Sequence, residues 1–306
     1  MGIVNLANKR ILIFGGGGFI GSNLTNLLTQ VGAQVISFDH KRPLLNLPLV
    51  QYIVGDFFNF DQVQAALAQA DIVVHAVSTI TPGSSQFQYM QGYERDFLSS
   101  VRMLEEAAKR KIRVLFLSSG GTVYGESHEA PIPESAPLSP INHYGCVKVC
   151  IEQVMRQFHL SGADFRIARI SNAYGPGQNY MAGVGFIDAA IKSALVGNPV
   201  QIWGTGENAR DYIYIDDICK LLAAFLEYDG LEFIINIGTG IGTTQNEIVE
   251  LIKVLFPDIC VQFLPKRNVD VKRNILDTSL ADRLFNIPKL PLHEGIRRCV
   301  EALTAK

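Results

Sequence analysis

Tyr144 and Lys148 are the residues in this chain whose types and spacing most directly suggest a reaction. They stand four apart in a stretch where Ile151, Met155 and Phe158 mark a helix, so both belong to one helical face. A lysine held near a phenol favours the phenolate, and the pair is expected to draw the tyrosine pKa towards neutrality. A tyrosine so tuned can take the proton of an alcohol while hydride leaves the same carbon. That chemistry needs a hydride acceptor, and the question becomes where the chain would hold one.

The stretch Arg10 to Leu24, RILIFGGGGFIGSNL, answers it. Ile11 to Phe14 form a run short enough for a buried strand, and Gly15, Gly16, Gly17 and Gly18 follow at once. Phe19, Ile20 and Gly21, with Leu24, Leu27 and Leu28 beyond, read as the first turns of a helix. Gly15, Gly18 and Gly21 fit G-x-x-G-x-x-G, and Gly16, Gly18 and Gly21 fit G-x-G-x-x-G. Residues without a Cβ can turn tightly and let the backbone approach a pyrophosphate, which would sit on the free N–H groups of Phe19 and Ile20. The next apolar strand, Gln34 to Phe38, ends in Asp39, roughly 20 residues past the last glycine, where an acid takes the ribose hydroxyls. A carboxylate there repels the extra phosphate of NADP, so NAD is the expected cofactor. Lys41 and Arg42, just beyond, would oppose that preference if they faced the ribose and are read as solvated charges.

The elements around these motifs alternate strand and helix through the first half, as in a parallel sheet. Gln51 to Val54 form a short strand closed by Gly55, Asp56 and Phe57. Asp56 is placed either against the adenine edge of the cofactor, with Phe57 beside it, or in a turn. Asp61 is expected to cap the helix through Leu67. After the buried strand Asp71 to Ala76, Val77 and the loop Ser78 to Gln88 are expected to line the cofactor crevice. Apolar residues then recur at helical steps from Met90 to Ala108. Strand Arg113 to Ser118 runs into SSGGTVYG, and a Pro-rich loop leads to the helix carrying Tyr144 and Lys148. Thr244 to Glu247 reads as a capping box.

Composition sets the class. The chain has 306 residues, 48% hydrophobic and 18% charged, with a net charge of −2, the profile of a soluble globular protein. That charge gives no reason to expect nucleic acid or an anionic membrane as partner. No apolar run approaches the ~20 residues of a membrane span, and no signal peptide is visible. The five cysteines show no metal-type spacing and read as reduced core residues in a cytoplasmic protein, with no metal expected.

In order along the chain, GGGGFIGSNL, Asp39, GDFF, SSGGTVYG, YGCVK, SNAYGPGQ, GTGENARDYIYIDD and RNILDTS resemble the extended short-chain dehydrogenase/reductase family, specifically its nucleotide-sugar epimerases and dehydratases. The resemblance covers nearly the whole length. It implies an α/β Rossmann fold, a doubly wound parallel sheet with a smaller C-terminal substrate-binding lobe. Residues 1–171 with 212–237 would form the NAD-binding domain, and 172–211 with 238–306 the nucleotide-sugar lobe. It implies Tyr144 as acid/base, with Lys148 as its partner and a ligand of the nicotinamide ribose. Asp96 stands where the family often has an asparagine near the cofactor. Asn172, Arg210 and Arg267 match residues at the nucleotide-sugar diphosphate, and Asp270 matches an acid near the nucleoside ribose. A guanidinium suits paired phosphate oxygens, so the residue types agree.

One position departs from the family. Four residues before Tyr124 the family usually shows a catalytic Ser or Thr, and this chain has Gly120. Glycine relays no proton, so Thr122, Ser119 or a water would have to replace the hydroxyl. The absence of an Asp-Glu pair here also argues against a 4,6-dehydratase. Asn274 stands where some epimerases confined to plain hexoses place a tyrosine, so an N-acetyl group is expected to fit beside it. The implied activity is NAD-dependent epimerisation of a nucleotide sugar, a UDP-sugar by preference, at C4 through a 4-keto intermediate. The alternatives are a reductase of a 4-keto nucleotide sugar and a non-catalytic dinucleotide sensor. A homodimer is expected, because Met90–Arg110 and Tyr144–Leu160 carry more apolar positions, Val147, Cys150, Ile151 and Val154 among them, than one narrow face needs.

Overall fold

The computed structural model describes residues 6–42, 47–126, 131–178, 185–265 and 271–305. A seven-stranded sheet dominates it. In chain order its first six strands are β1 (Arg10–Phe14), β2 (Gln34–Asp39), β3 (Val50–Val54), β4 (Ile72–His75), β5 (Arg113–Ser119) and β6 (Phe165–Ile170), and Ile234–Ile237 is the seventh. Across the sheet the order is Ile234–Ile237, β6, β5, β4, β1, β2, β3, with β3 to β5 paired in parallel. The order reverses between β1 and β4, the point at which doubly wound sheets bind ligands at the strands' carboxyl ends. The expected Rossmann architecture is therefore present.

The strands β1 and β4 are almost wholly buried because helices cover the sheet. Four of these helices are α1 (Phe19–Gln30), α2 (Phe60–Leu67), α3 (Leu98–Lys109) and α4 (His143–Leu160). Phe14 anchors the packing, with ring centroids 5.1 Å from both Phe38 and Phe57, edge to face. Met103, Leu104, Val147, Ile151 and Met155 of α3 and α4 join the same buried cluster.

Local details differ from the sequence expectation. The cap of α2 is Asn59, whose side chain accepts from the Gln62 N–H, while Asp61 lies in the first turn, where its charge suits the helix dipole. The single helix expected from Met90 is broken into Tyr89–Gln91, a π-helical turn Gly92–Phe97, and α3. Gly92 permits tight packing there, since a Cβ would lie 2.4 Å from Ile80 Cδ1. Of the cysteines, Cys219 and Cys299 are core residues, Cys146 and Cys150 are half-buried, Cys260 is exposed, and all five are free. Among the described residues no helix is long and apolar enough to cross a membrane.

The chain divides into two compact units. The first comprises Met1–Ser119, Asn142–Arg169 and Cys219–Ile235; the second comprises Gly120–Ile141, Ile170–Ile218 and Asn236–Lys306. In the second, strand Ala209–Tyr214 pairs with Asn172–Tyr174, Gly242–Thr244 and Arg273–Asn274, and Val200–Trp203 pairs with Val261–Leu264. Thr244 and Glu247 form the capping box read from the sequence. The Asp211 carboxylate, fully buried, accepts from Thr239 N and Oγ1 and from Gly240 N, which fixes the backbone beside Arg210.

Asn236 holds the Pro-rich segment of this second unit. Its Oδ1 accepts from the Tyr124 hydroxyl at 2.7 Å, and its Nδ2 donates to the carbonyls of Ile132 and Asp277 at 3.0 and 3.1 Å. Three buried hydrogen bonds end on one side chain, so Asn236→Ala is expected to cost about 2–4 kcal/mol in urea unfolding. A loss below about 1 kcal/mol would mean that the segment is held by other contacts.

Candidate functional site

The glycine turn begins at Gly15, whose φ of +84° suits glycine and whose Cβ, if present, would meet the Ala76 carbonyl at 3.0 Å. Gly21 must also lack a Cβ, because one would lie 2.1 Å from the Gly15 oxygen; this lets α1 press onto the end of β1. Gly18 is the N-cap and contributes no side-chain bond to the first turn, which leaves the helix opening at Phe19 and Ile20 to a ligand's phosphate. The Gly17 N–H donates to Asp39 Oδ2 at 3.0 Å, and the Lys41 N–H to Asp39 Oδ1 at 3.2 Å. The carboxylate is thus fixed beside the turn at the end of β2. A cradle that side chains would fill, a helix start without a cap and an acid beside them fit a dinucleotide.

The other cofactor candidates fall in different places. Phe57 puts its ring into the core against Phe14. Asp56 is exposed, and its carboxylate accepts from the Phe58 N–H, the geometry of a turn residue. The Val77 backbone packs beside Gly15. Asp96, 3% exposed on the π-helical turn, accepts from Ser78 Oγ, Thr79 N and Thr79 Oγ1 at 3.1, 2.8 and 2.7 Å. Its carbonyl accepts from Ser100 Oγ, so His75 Nε2 must donate to Ser100 and His75 Nδ1 accepts from the Val77 N–H. Burial pushes His75 down to about 3, which keeps that ring neutral.

Tyr144 and Lys148 occupy successive turns of α4, as expected, with the ammonium 5.5 Å from the Tyr144 ring centroid. Lys148 Nζ donates to the Leu117 carbonyl at 3.0 Å, and Ser119 hydrogen-bonds the Tyr144 phenol. Ser119 is therefore the hydroxyl found with the tyrosine. Thr122, in the second unit, is buried and its Oγ1 has no partner among the described residues.

The electrostatics correct one expectation. Tyr144 is pushed up to about 12, first by burial and then by the Asp96 charge, with the Ser119 bond pulling the other way. Burial also pushes Lys148 down to about 8, against the opposing pull of Asp96 and Glu152. The lysine gives one of its donors to the Leu117 carbonyl, and in the free protein burial and the Asp96 charge dominate the phenol. A positively charged oxidised nicotinamide would supply the missing electrostatic pull.

In the second unit, Asn172 Nδ2 donates to the Asp211 carbonyl at 3.0 Å, and Arg210 donates to the Ala209 carbonyl at 3.0 Å. Asn274 pairs in register with Arg210 but is fully buried, and its Nδ2 donates to the Gly120 carbonyl at 3.1 Å. As found, it braces the glycine and offers a sugar no exposed surface. Arg267 and Asp270 lie outside the described residues.

With this geometry, the family model of the NAD dependent epimerase/dehydratase family matches residues 11–238. The chain belongs to that family. Its members include NAD-dependent epimerases, dehydratases and reductases of nucleotide sugars, and its cofactor is NAD. The chain is 30% identical over 299 residues to a putative UDP-glucose 4-epimerase of Methanocaldococcus jannaschii, covering 95% of this chain and 97% of that one. It is 30% identical over 319 residues to the dTDP-4-dehydro-6-deoxyglucose reductase of Escherichia coli, covering 97% and 98%. The crystal structure of the Thermotoga maritima UDP-glucose 4-epimerase with UDP-glucose superposes with a TM-score of 0.90 at 29% identity, covering 97% and 99%.

If Tyr144 carries the proton, Tyr144→Phe is expected to lower turnover at least ~100-fold while NAD remains bound, since only the acceptor is removed. Turnover above a few per cent of the parent rate, with cofactor retained, would show that another group takes the proton.

Proposed function

We propose that this enzyme is an NAD-dependent nucleotide-sugar 4-epimerase, with a UDP-sugar as substrate. The observation that carries the reading is the Ser119–Tyr144–Lys148 group at the carboxyl end of β5, in the same parallel sheet whose β1 runs into the glycine turn. Tyr144 accepts the proton of the 4-hydroxyl, and Ser119 orients the phenol. Lys148 holds a positive charge behind it. NAD, when bound, supplies the chemistry of taking hydride from C4 and giving it back. Inversion would require the 4-keto sugar to present its other face at C4 before it is reduced again, with Tyr144 giving its proton back to the C4 oxygen, so there is no net oxidation. The second unit is the nucleotide-sugar lobe in this reading. There Asn172 and Arg210, with Arg267, serve the diphosphate, and Asp270 serves the ribose.

A second reading is reduction of a 4-keto nucleotide sugar, favoured by the similarity to the E. coli reductase. The two differ in cofactor stoichiometry. The protein is incubated with UDP- and GDP-hexoses, with no cofactor added, and products are separated by chromatography. Interconversion of C4 epimers without added NAD is the expected result. Stoichiometric consumption of added NAD(P)H with a 4-keto sugar, and no epimerisation, would replace this reading by the reductase.

We also propose a homodimer, though not on the apolar positions expected from the sequence: Val147 and Ile151 are core residues and Val154 packs against them. Met90 on the short helix before the π-turn and Leu98 on α3 are each 50% exposed, and Phe87 and Tyr89 are exposed beside them. Light scattering at micromolar concentration is expected to give twice the chain mass, and Leu98→Glu to give the single mass. A parent protein of single mass at that concentration would remove the proposal.

A further inference from the structure

Behind the proton-handling group lies a buried ion pair to which no role has been given. Glu152 of α4 and Arg169 of β6 are each 2% exposed at their side chains, with Arg169 Nη2 2.6 Å from Glu152 Oε2 and its Nε 3.2 Å from both carboxylate oxygens. The Ser118 hydroxyl donates to Glu152 Oε1 at 2.5 Å. Glu152 lies one helical turn past Lys148, as Lys148 lies one turn past Tyr144. Three successive turns of α4 therefore engage three successive residues of β5: Tyr144 meets Ser119, Lys148 meets the Leu117 carbonyl, and Glu152 meets Ser118.

We propose that Glu152, held by Arg169, is a positioning residue that acts through Ser118 and Lys148. The rung to Ser118 fixes the last residues of β5, so Ser119 and the Leu117 carbonyl stand where Tyr144 and Lys148 need them. The Glu152 charge supports the buried ammonium, and the Arg169 fork holds that carboxylate in one orientation. The inference rests on the reading of Tyr144 and Lys148 as the proton-handling pair. The charged and titratable groups around Lys148 are Tyr144 and Glu152 of its own helix, Asp96 of the π-helical turn and His75 of β4, with Arg169 of β6 behind Glu152. His75 is neutral, so Asp96 and Glu152 are the two anions that oppose burial.

The test needs neither substrate nor cofactor for its first readout. In the full chain, the Lys148 ammonium is titrated by nitrogen NMR on isotope-labelled lysine, assigned by its loss in Lys148→Arg. Glu152→Gln keeps the shape and removes the charge, so the midpoint is expected to fall by about one unit, while Glu152→Asp restores most of it. With active enzyme, the alkaline limb of the pH profile moves to lower pH by the same amount. Ser118→Ala removes the rung and no charge; it is expected to lower kcat about tenfold with KM unchanged, and Ser118→Thr to recover it. Ser118→Ala leaves no unpaired charge and decides the matter should Glu152→Gln not fold. A folded Glu152→Gln with an unmoved Lys148 titration, or Ser118→Ala with the parent kcat, overturns the proposal. A shifted titration in a protein that turns over no nucleotide sugar supports the positioning role and removes the epimerase reading instead.

Discussion

The first unit is built around an ammonium that water does not reach. Lys148 is buried between α4 and the end of β5, and holding it charged at neutral pH costs roughly 3 kcal/mol relative to water, judged from its depressed pKa. That cost is what remains after the counter-charges have acted, so the ammonium needs its acceptor and anions in place when the helix docks. The Leu117 carbonyl, Asp96 and Glu152 meet that need, each from a different part of the chain. Asp96 in turn needs Ser78, Thr79 and the Ser100–His75 link to satisfy it. Around this one cation stand a carboxylate on a π-helical turn, an ion pair reaching β6 and a histidine on β4 that its own burial keeps neutral.

A second constraint is the close approach at the other side of the sheet's crossover. Gly21 and Gly15 bring α1 onto β1 at a distance no side chain tolerates, and the Gly17 N–H reaches Asp39 as a result. The same close packing leaves the helix start uncapped and thus able to receive phosphate. The fold therefore puts the uncapped helix start and the Tyr144–Lys148 pair at the carboxyl ends of strands in one parallel sheet. That juxtaposition is a property of the doubly wound sheet, in which every crossover returns the chain to the same edge.

The sequence showed these elements clearly where local pattern determines structure. Alternating strands and helices, the glycine turn, Asp39 at the end of β2, the pairing of Tyr144 with Lys148 and the Thr244 capping box are all written in short windows. Features set by tertiary contact were illegible. Nothing in SSGGTVYG separates Ser119 from Thr122 as the partner of Tyr144; the direction in which the strand end meets α4 decides it. The phenol was expected near neutrality because spacing places a lysine beside it, yet spacing does not reveal how far tertiary packing removes the two groups from water or that Asp96 faces them. Asn59 and Asp61 are both good capping residues two apart, and only the backbone at Asn59 makes the choice. Glu152 drew no reading from the sequence, because its partner Arg169 lies on β6, which no helical periodicity reaches.

Gly120 shows how a missing hydroxyl can be accommodated. A glycine at this place has no side chain to hold the chain's direction, and the structure supplies the hold from elsewhere: the Asn274 amide donates to its carbonyl from strand Arg273–Asn274, deep in the second unit. A serine or threonine at position 120 would have carried a hydroxyl of its own, whereas the glycine leaves the neighbouring residue as the nearest source on β5. Ser119 is that residue, and its bond to Tyr144 opposes the upward push of burial on the phenol. A hydroxyl one residue earlier along a strand belongs to the opposite face unless the backbone turns, and β5 ends at Ser119 with Gly120–Val123 coiling into a helical turn. The turn after β5 therefore accompanies the meeting of Ser119 with Tyr144, and the two glycines, Gly120 and Gly121, stand at the point where the chain changes direction.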